Sequence, residues 1–378
     1  MPKDKLLRIN CELCGGSNNQ QVIWRNPQKV VCRNCGLVFK NPYPSKRSLS
    51  QYYGKSAFAS GSSFRSFEKG SRLYALSRER IRFLERYLPL TGGRVLDIGC
   101  SAGELLSLFD TTAWEKHGID QSSNAVSRAK RVGLKVKRAN IENSKLGQGQ
   151  FDLICLISVL EHLSSPKSAF VKISSAIRNK GYLFLEVPNM LSKCKGLPEL
   201  ETFEHLWHFT PKTIELFIKS TGFKTLKVDK NTSIPNIRLI AQKSSLKPVN
   251  FKSDEHQRII NFANSELKRE KWINQRIQKK LTTIYSLAEK RGSRLAIYGT
   301  GRYALYLNGL IEFPKTSAFF DSDPNKWQKK FLGRKINKPR DLKMIMPKKI
   351  IIASDAFKKE IRDIILKYAY PDIKIITL

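Results

Sequence analysis

The chain has 378 residues, about two and a half times a typical ~150-residue domain, so two or three domains are expected and a single small module is excluded. Hydrophobic residues make up 41% and aromatics 10%, with 22 Gly and 16 Pro, which excludes fibrous and wholly disordered classes. The 68 Lys and Arg against 32 Asp and Glu leave a net charge of +36, the balance of a chain that meets nucleic acid, anionic membrane or acidic substrate. That excess is spread over every part of the chain, so a uniformly basic composition explains it as well as a polyanion surface does. The longest apolar stretch, Phe151 to Leu160, contains Asp152 and is far shorter than the roughly 20 residues of a membrane span. No apolar signal core precedes the first cysteine, and a cytoplasmic location is expected.

Residues 1–45 read as two short β-hairpins carrying Cys11-x-x-Cys14 and Cys32-x-x-Cys35-Gly36, with seventeen residues between the pairs. In a reducing compartment, paired cysteines at this spacing favour metal over disulfides. Four thiolates make a closed tetrahedral set with no position left for water, so Cys11, Cys14, Cys32 and Cys35 are expected to hold one structural zinc ion in a module assigned to residues 1–47. A polar stretch over residues 48–71 leads to a helix over 72–88, with Leu73, Leu76, Ile81, Leu84 and Leu88 on one face. From Arg94, strands and helices alternate over 94–98, 104–109, 115–120, 124–132, 151–157, 166–177 and 182–187, which argues a parallel sheet with helices on both faces in a domain spanning 48–243. Residues 244–292 read as a linker and a long helix over 255–290, and residues 293–378 as a smaller α/β domain.

Four constellations carry chemistry. The zinc set is the first. The second runs from Val95 to Leu106, where a buried strand enters a glycine turn with Asp97 ahead of Gly99 and with Gly103 four residues on; Asp120 follows at the end of the next strand, where a carboxylate accepts ribose hydroxyls. With Asn140-Ile141-Glu142, Phe151-Asp152-Leu153-Ile154, Val159-Leu160-Glu161-His162-Leu163 and the run from Asn179 to Asn189, this order resembles class I S-adenosylmethionine-dependent methyltransferases. The resemblance covers roughly residues 72–243 and departs at Ser101, where many members carry Gly. It implies a Rossmann-like domain, S-adenosylmethionine as cofactor, and cofactor contacts from Asp97, Gly99, Cys100, Gly103, Asp120, Gln121, Asn140, Ile141 and Ser158.

The third constellation is the loop from Thr202 to Pro211, which brings Glu204, His205 and His208 together ahead of a helix capped by Thr210. Imidazole suits proton abstraction near neutrality, and a neighbouring carboxylate tunes it; the competing reading is two histidines that pack a loop. In zinc-containing sugar methyltransferases, which the chain also resembles, an adjacent Glu-His pair in this loop serves the substrate, so His205 is expected as base with Glu204 beside it. His162 is expected to line the substrate. The fourth is Gly299-Thr300-Gly301-Arg302 with Asp321 twenty residues after Gly301, a turn suited to a nucleotide or nucleotide-sugar phosphate, although its sequence differs from the family's.

The expected architecture is α/β: a Rossmann-like class I methyltransferase domain with a parallel sheet, an N-terminal zinc ribbon and a small C-terminal Rossmann-like domain. The layout looks like the three-part sugar methyltransferases, which implies methyl transfer to carbon or oxygen of a small acidic metabolite, a nucleotide-linked sugar of deoxysugar or surface-polysaccharide synthesis being favoured. Tyr52, Tyr53 and the Phe58 region give no secure match to the substrate tyrosines of carbon-methylating relatives. The alternatives are an RNA methyltransferase with a zinc ribbon, disfavoured because no RNA-binding module or clustered basic helix is present, and a non-catalytic scaffold.

Overall fold

The computed structural model describes residues 7–17, 20–25, 28–45, 72–192, 204–230, 232–290, 294–354 and 357–378. Tyr52, Tyr53, Phe58, Thr202 and Phe203 lie outside the described residues. Two compact units are present, Met1–Asn264 and Ser265–Leu378.

In the first unit, β1 (Gln20–Arg25), β2 (Gln28–Cys32), β3 (Val38–Lys40) and a distant strand, β9 (Trp207–His208), form an antiparallel sheet in the order β1-β2-β3-β9. Among the described residues, the first cysteine pair sits on a turn outside the named strands, closed by the Cys11 N–H to the Gly16 carbonyl and the Gly15 N–H to the Cys11 carbonyl. Among the described residues, the expected two hairpins are therefore one meander preceded by a turn that Leu7 and Ile9 tie to Tyr43 and Asn41. β3 pairs with β9 through Val38 to His208 and Phe39 to Trp207, so the cysteine segment shares a sheet with the histidine loop.

The main sheet has seven strands in the order β10-β11-β8-β7-β4-β5-β6. From β4 (Gly93–Ile98) the chain winds outward through β5 (Trp114–Asp120) and β6 (Lys135–Arg138), then returns to the other side of β4 with β7 (Phe151–Ile157) and β8 (Ile177–Pro188). These five are parallel; β10 (Phe223–Asp229) and β11 (Asn236–Lys243) close the sheet, β11 running antiparallel to both neighbours. The reversal of winding at β4 makes the carboxyl ends of β4 and β7 the crevice where such sheets bind ligands.

Both sheet faces are covered, which is why β4 and β7 read as apolar runs. Leu96, Ile98, Ile154 and Leu156 pack with Phe170 and Ile173 of α3 (Pro166–Ala176), while Val95, Leu153 and Cys155 pack with Leu84 of α1 (Arg72–Tyr87) and Ala129 of α2 (Ser123–Arg131). Ser122 and Ser165 cap α2 and α3 by accepting the Ala125 and Ser168 N–H groups. The helix expected over 104–109 is a run of turns ending in a 3-10 turn at Leu106–Leu108. Its single α-type bond, Ser107 N–H to Gly103, tightens into Leu108 to Leu105 and Phe109 to Leu106, and an Asp110 turn follows. α4 (Pro211–Ser220) starts at a reciprocal Thr210–Thr213 cap.

α5 (Glu255–Lys290) begins in the first unit, where Ile259 and Ala263 pack on Trp24 and Val31. In the second unit, its residues Ile277, Leu281, Ile284 and Tyr285 pack on Leu295, Ile297 and Leu307. That unit is a six-stranded sheet in the order β14-β15-β13-β12-β16-β17, from β12 (Leu295–Tyr298), β13 (Ala318–Phe320), β14 (Lys330–Phe331), β15 (Arg334–Asn337), β16 (Lys349–Ile352) and β17 (Lys374–Thr377), parallel except for β14. α6 (Arg302–Leu310) follows β12, again at the point where the winding reverses. Among the described residues, no helix is long and apolar enough to cross a membrane.

Candidate functional site

The expected cofactor residues gather at the carboxyl ends of four adjacent strands: Asp97 near the end of β4 with Gly99, Cys100 and Gly103 after it, Asp120 at the end of β5 with Gln121 after it, Asn140 and Ile141 after β6, and Ser158 after β7. Gly99 has φ +75° and Gly103 φ +85°; a Cβ on Gly99 would stand 2.3 Å from Val159 Cγ2, and one on Gly103 2.1 Å from Leu134 Cδ1, so both positions require glycine. Ser101 takes φ +53°, a conformation costing about 1 kcal/mol for a residue with a Cβ, at the place where the family often has Gly. Asp120 offsets this: its Oδ2 accepts the Ser101 N–H at 2.9 Å and its Oδ1 the Ser122 N–H at 2.8 Å. Each oxygen keeps a lone pair for a further donor.

Beneath the turn lies a concentration of carboxyl groups. Asp97 is 3% exposed, and its Oδ1 has no hydrogen-bond partner among the described residues. Burial pushes its carboxyl well above the usual range, Glu104 and Asp120 add to the effect, and the Arg80 guanidinium opposes it. Glu104 is also raised by burial, against the pull of backbone amides and the Ser101 hydroxyl. Burial holds the Cys100 thiol protonated. Asn140 Oδ1 accepts the Glu142 N–H, and Glu142 accepts from Ser164 and Ser165 at the start of α3, so Glu142 braces the loop. A hollow lined by Arg94, Glu115, Lys135 and Arg178 opens at the amino ends of β4 and β5, the edge opposite these residues.

The histidine loop adjoins this turn through Val159. Glu161, 1% exposed, and His162 occupy a 3-10 turn at Leu160–His162. The Leu206 N–H donates to the Glu161 carbonyl at 2.8 Å and His162 Nδ1 lies 3.1 Å from the Glu204 carbonyl oxygen. The His162 and His205 rings meet edge to face at 4.8 Å, and His162 Nε2 stands 4.0 Å from Glu161 Oε1. His208, 1% exposed within β9, is 6.2 Å from His205 between ring centroids. His205, Glu204 and His162 thus come together with Glu161, while His208 lies in the sheet behind them.

Two lysines of the cysteine sheet, absent from the sequence-based set, face the same loop. Lys29 is fully buried and donates to the His205 carbonyl at 2.7 Å; the Lys40 N–H donates to the Leu206 carbonyl at 2.8 Å. Burial lowers the Lys40 ammonium to about 8, with the Glu204 carboxylate opposing the shift. The signal available in the sequence was a lysine inside each apolar strand run, at Lys29-Val30-Val31 and Val38-Phe39-Lys40. The two C-x-x-C-G turns match in detail: Gly15 and Gly36 take φ +75° and +78°, and each N–H returns to the carbonyl of the first cysteine. Their four sulfur atoms lie within 4.8 Å of one another, compatible with a zinc ribbon.

In the second unit, Gly299 takes φ +100°, with a Cβ there 2.8 Å from the Ala353 carbonyl oxygen, and Gly301 caps α6. Asp321 Oδ2 accepts three donors, the Thr300 N–H, the Thr300 hydroxyl and the Lys326 ammonium, at 2.9, 2.7 and 2.9 Å; Oδ1 accepts the Asp323 N–H. Burial acts to raise this carboxyl, but Lys326 and the other donors bring it below the usual range. Arg302 begins α6, and its side chain lies outside the described residues.

Residues 68–228 match the family model of a methyltransferase domain, and residues 292–376 match one described as C2185-like, N-terminal. Similar curated proteins are the ubiquinone biosynthesis O-methyltransferases of Dechloromonas aromatica, 29% identical over 124 residues (31% of this chain, 53% of that protein), and of Aromatoleum aromaticum, 28% identical over 175 residues (41% and 74%). The chain spans about half the length of the first of these. A solved S-adenosylmethionine-dependent methyltransferase from Mesorhizobium loti is 17% identical, with a TM-score of 0.39 over 45% of this chain and 100% of that one. With the winding of the sheet and the glycine turn at its reversal, the match identifies residues 68–228 as a methyltransferase domain of the Rossmann-like class I fold.

Proposed function

We propose that the chain transfers the methyl group of S-adenosylmethionine to a small acidic metabolite, with a nucleotide-linked sugar of deoxysugar or surface-polysaccharide synthesis as the favoured acceptor. One observation carries this reading: the carboxylate-lined glycine turn touches Val159, two residues before the buried Glu161 that meets His162 and His205. The residues fit the cofactor. Its sulfonium and ammonium cations suit a turn backed by Asp97, Glu104 and Asp120, and the buried Asp97 Oδ1 is the acceptor a cationic group would satisfy.

When bound, the cofactor supplies an electrophilic methyl carbon. The chain does the rest. Asp120 would hold the ribose hydroxyls with the lone pairs left by Ser101 and Ser122, Asn140 and Ile141 would border the adenine, and Gly99 would let the backbone approach closely. The group formed by Glu161, His162 and His205, with Glu204 on the same loop, takes the acceptor proton, while Lys29 and Lys40 hold that loop by its carbonyls. We assign Cys11, Cys14, Cys32 and Cys35 to one structural zinc ion; the 3.5 Å separations of Cys11 from Cys35 and of Cys14 from Cys32 are close to the ~3.8 Å between sulfurs of a tetrahedral site. The favoured acceptor rests on the layout: a cysteine segment at 1–47, the methyltransferase segment at 48–243, the linker and helix at 244–292, and an α/β segment at 293–378 whose Gly299 turn is available for nucleotide phosphates.

A second reading, a hydroxylated aromatic acceptor, is favoured by the curated relatives, which are ubiquinone biosynthesis O-methyltransferases. The test is to incubate the protein with methyl-labelled cofactor and separate pools of nucleotide-sugars, hydroxylated aromatics and total RNA. Label in the nucleotide-sugar pool supports the first reading and label in the aromatics the second, whereas label in RNA alone, or in no pool, refutes both.

A further inference from the structure

We propose that Glu161, His162 and His205 bind a divalent first-row cation, in a site separate from the four cysteines and facing the acceptor. The carboxylate oxygen and two imidazole nitrogens already lie within 4.8 Å of one another. Ligand atoms sharing one such ion stand ~3 to 3.5 Å apart at bond lengths of ~2.1 Å, so small side-chain rotations from the present 4.0 Å between His162 Nε2 and Glu161 Oε1 complete the set.

The tautomer of His162 strengthens this reading. Its Nδ1 faces the Glu204 carbonyl oxygen at 3.1 Å, and a carbonyl only accepts, so Nδ1 carries the proton. In the neutral ring, Nε2 then presents its lone pair toward the Glu161 carboxylate. A cation held between these two groups would be met by both, and the Nδ1–H to carbonyl bond is the brace that metal-bound histidines commonly have. The backbone around the set is tied: the Leu206 N–H donates to the Glu161 carbonyl, the Lys29 ammonium holds the His205 carbonyl, and the Lys40 N–H holds that of Leu206.

Three protein ligands leave open positions, and Val159 places them beside the Gly99 turn. This inference rests on the transferase reading for its purpose. With an oxygen acceptor, the cation takes over the part given above to the bare side chains: Glu161, His162 and His205 hold the ion, and the bound hydroxyl loses its proton to water and stays on the cation. The oxygen's electron pair forms the bond to the methyl carbon, and the pair of the broken carbon–sulfur bond remains on sulfur. One carboxylate with two imidazoles suits Mn2+, Fe2+, Co2+ or Zn2+, whereas four thiolates select zinc. Mn2+ therefore reports the second site without occupying the first.

The experiment titrates Mn2+ into full-length, zinc-loaded protein by electron paramagnetic resonance, with cofactor affinity measured in parallel by calorimetry. One Mn2+ per chain is expected, weakened at least tenfold in both Glu161→Gln and His205→Ala. His205 is half-buried, so its variant guards against loss of fold at Glu161, and an unchanged cofactor affinity certifies each variant. No Mn2+ site, or one unchanged in both variants, overturns the proposal and points to a proton on His162 as the bridging charge. Cofactor binding without Mn2+ leaves the transferase reading standing, whereas an Mn2+ site in a protein that binds no cofactor removes that reading and keeps the metal site.

Discussion

The two glycine turns have one topology and two different aspartates. In each unit a central parallel strand ends in a left-handed glycine where the winding reverses, and the next strand ends in an aspartate that accepts an N–H from the turn. Asp120 spends one lone pair of each oxygen on a backbone amide. Asp321 gives Oδ2 to a backbone amide, a hydroxyl and an ammonium together. The difference lies in Thr300 and Lys326, outside the glycine-then-aspartate order that the two units share: the same order leaves a carboxylate ready for a ligand in one unit and satisfied by its own chain in the other.

The sharpest way to break the comparison is to remove what only the first turn has beside it. His205→Ala is expected to lower turnover by about 10²- to 10⁴-fold with cofactor affinity nearly unchanged, the size of the loss whether His205 takes the proton itself or holds the cation that acidifies the acceptor. A variant with wild-type turnover in a steady-state assay would take His205 out of the mechanism.

Next in size is the brace under the site. Glu186, fully buried on β8, is held by Arg80 at 2.5 Å and by Arg238 at 2.5 Å, and its backbone carbonyl accepts the Ser158 N–H. Burial acts to raise its carboxyl, but the two guanidinium groups bring it below the usual range. A carboxyl lower in the folded than in the unfolded chain adds stability above its unfolded pKa and loses it as pH falls through the folded value. Glu186→Gln should therefore cost about 3 kcal/mol near neutrality by taking the carboxylate from Arg80 and leaving the buried Arg238 with Glu79 alone, and much less in acid. Equal losses of Tm at pH 7 and pH 3 would contradict this.

The second turn sharpens the contrast. Asp321→Ala should cost about 1 to 3 kcal/mol by stranding the Thr300 donors, a loss of stability read in thermal melts.

The smallest effect concerns protons at the first turn. Asp97 is raised chiefly by burial, so the stability its protonated form adds is present below the ordinary carboxylate pKa and lost as pH rises through the raised one. A cationic ligand favours the carboxylate, so cofactor binding should release a fraction of a proton per chain. Calorimetry in two buffers of different ionisation enthalpy should differ for the native protein and agree for Asp97→Asn. Agreement in both proteins would remove Asp97 from the cofactor's surroundings.

Much of the fold was legible because buried strands and amphipathic helices announce themselves locally. Phe151–Ile157 and Glu255–Lys290 have the expected bounds, one as an apolar run and the other as a sustained helical period. Residues 104–109 read as helical from their leucines, yet the bonds after Gly103 tighten to the 3-10 type before the Asp110 turn. The candidate site was legible only in pieces. The order Gly99, Asp120, Asn140 is local to consecutive strand ends, whereas Glu161 meets His205 across more than forty residues and Lys29 reaches the His205 carbonyl across 176. No periodicity records that β9 completes the cysteine sheet, because a two-residue strand is too short to carry a pattern.

Calorimetric titration of S-adenosylmethionine into the native protein, Asp120→Ala and Asp321→Ala tests the central claim most directly. The account predicts that Asp120→Ala loses about 1.5 to 3 kcal/mol of binding, roughly ten- to a hundredfold in affinity, while Asp321→Ala binds as the native protein does. Equal affinities for all three, or a loss confined to Asp321→Ala, would contradict the placement of the cofactor at the Gly99 turn.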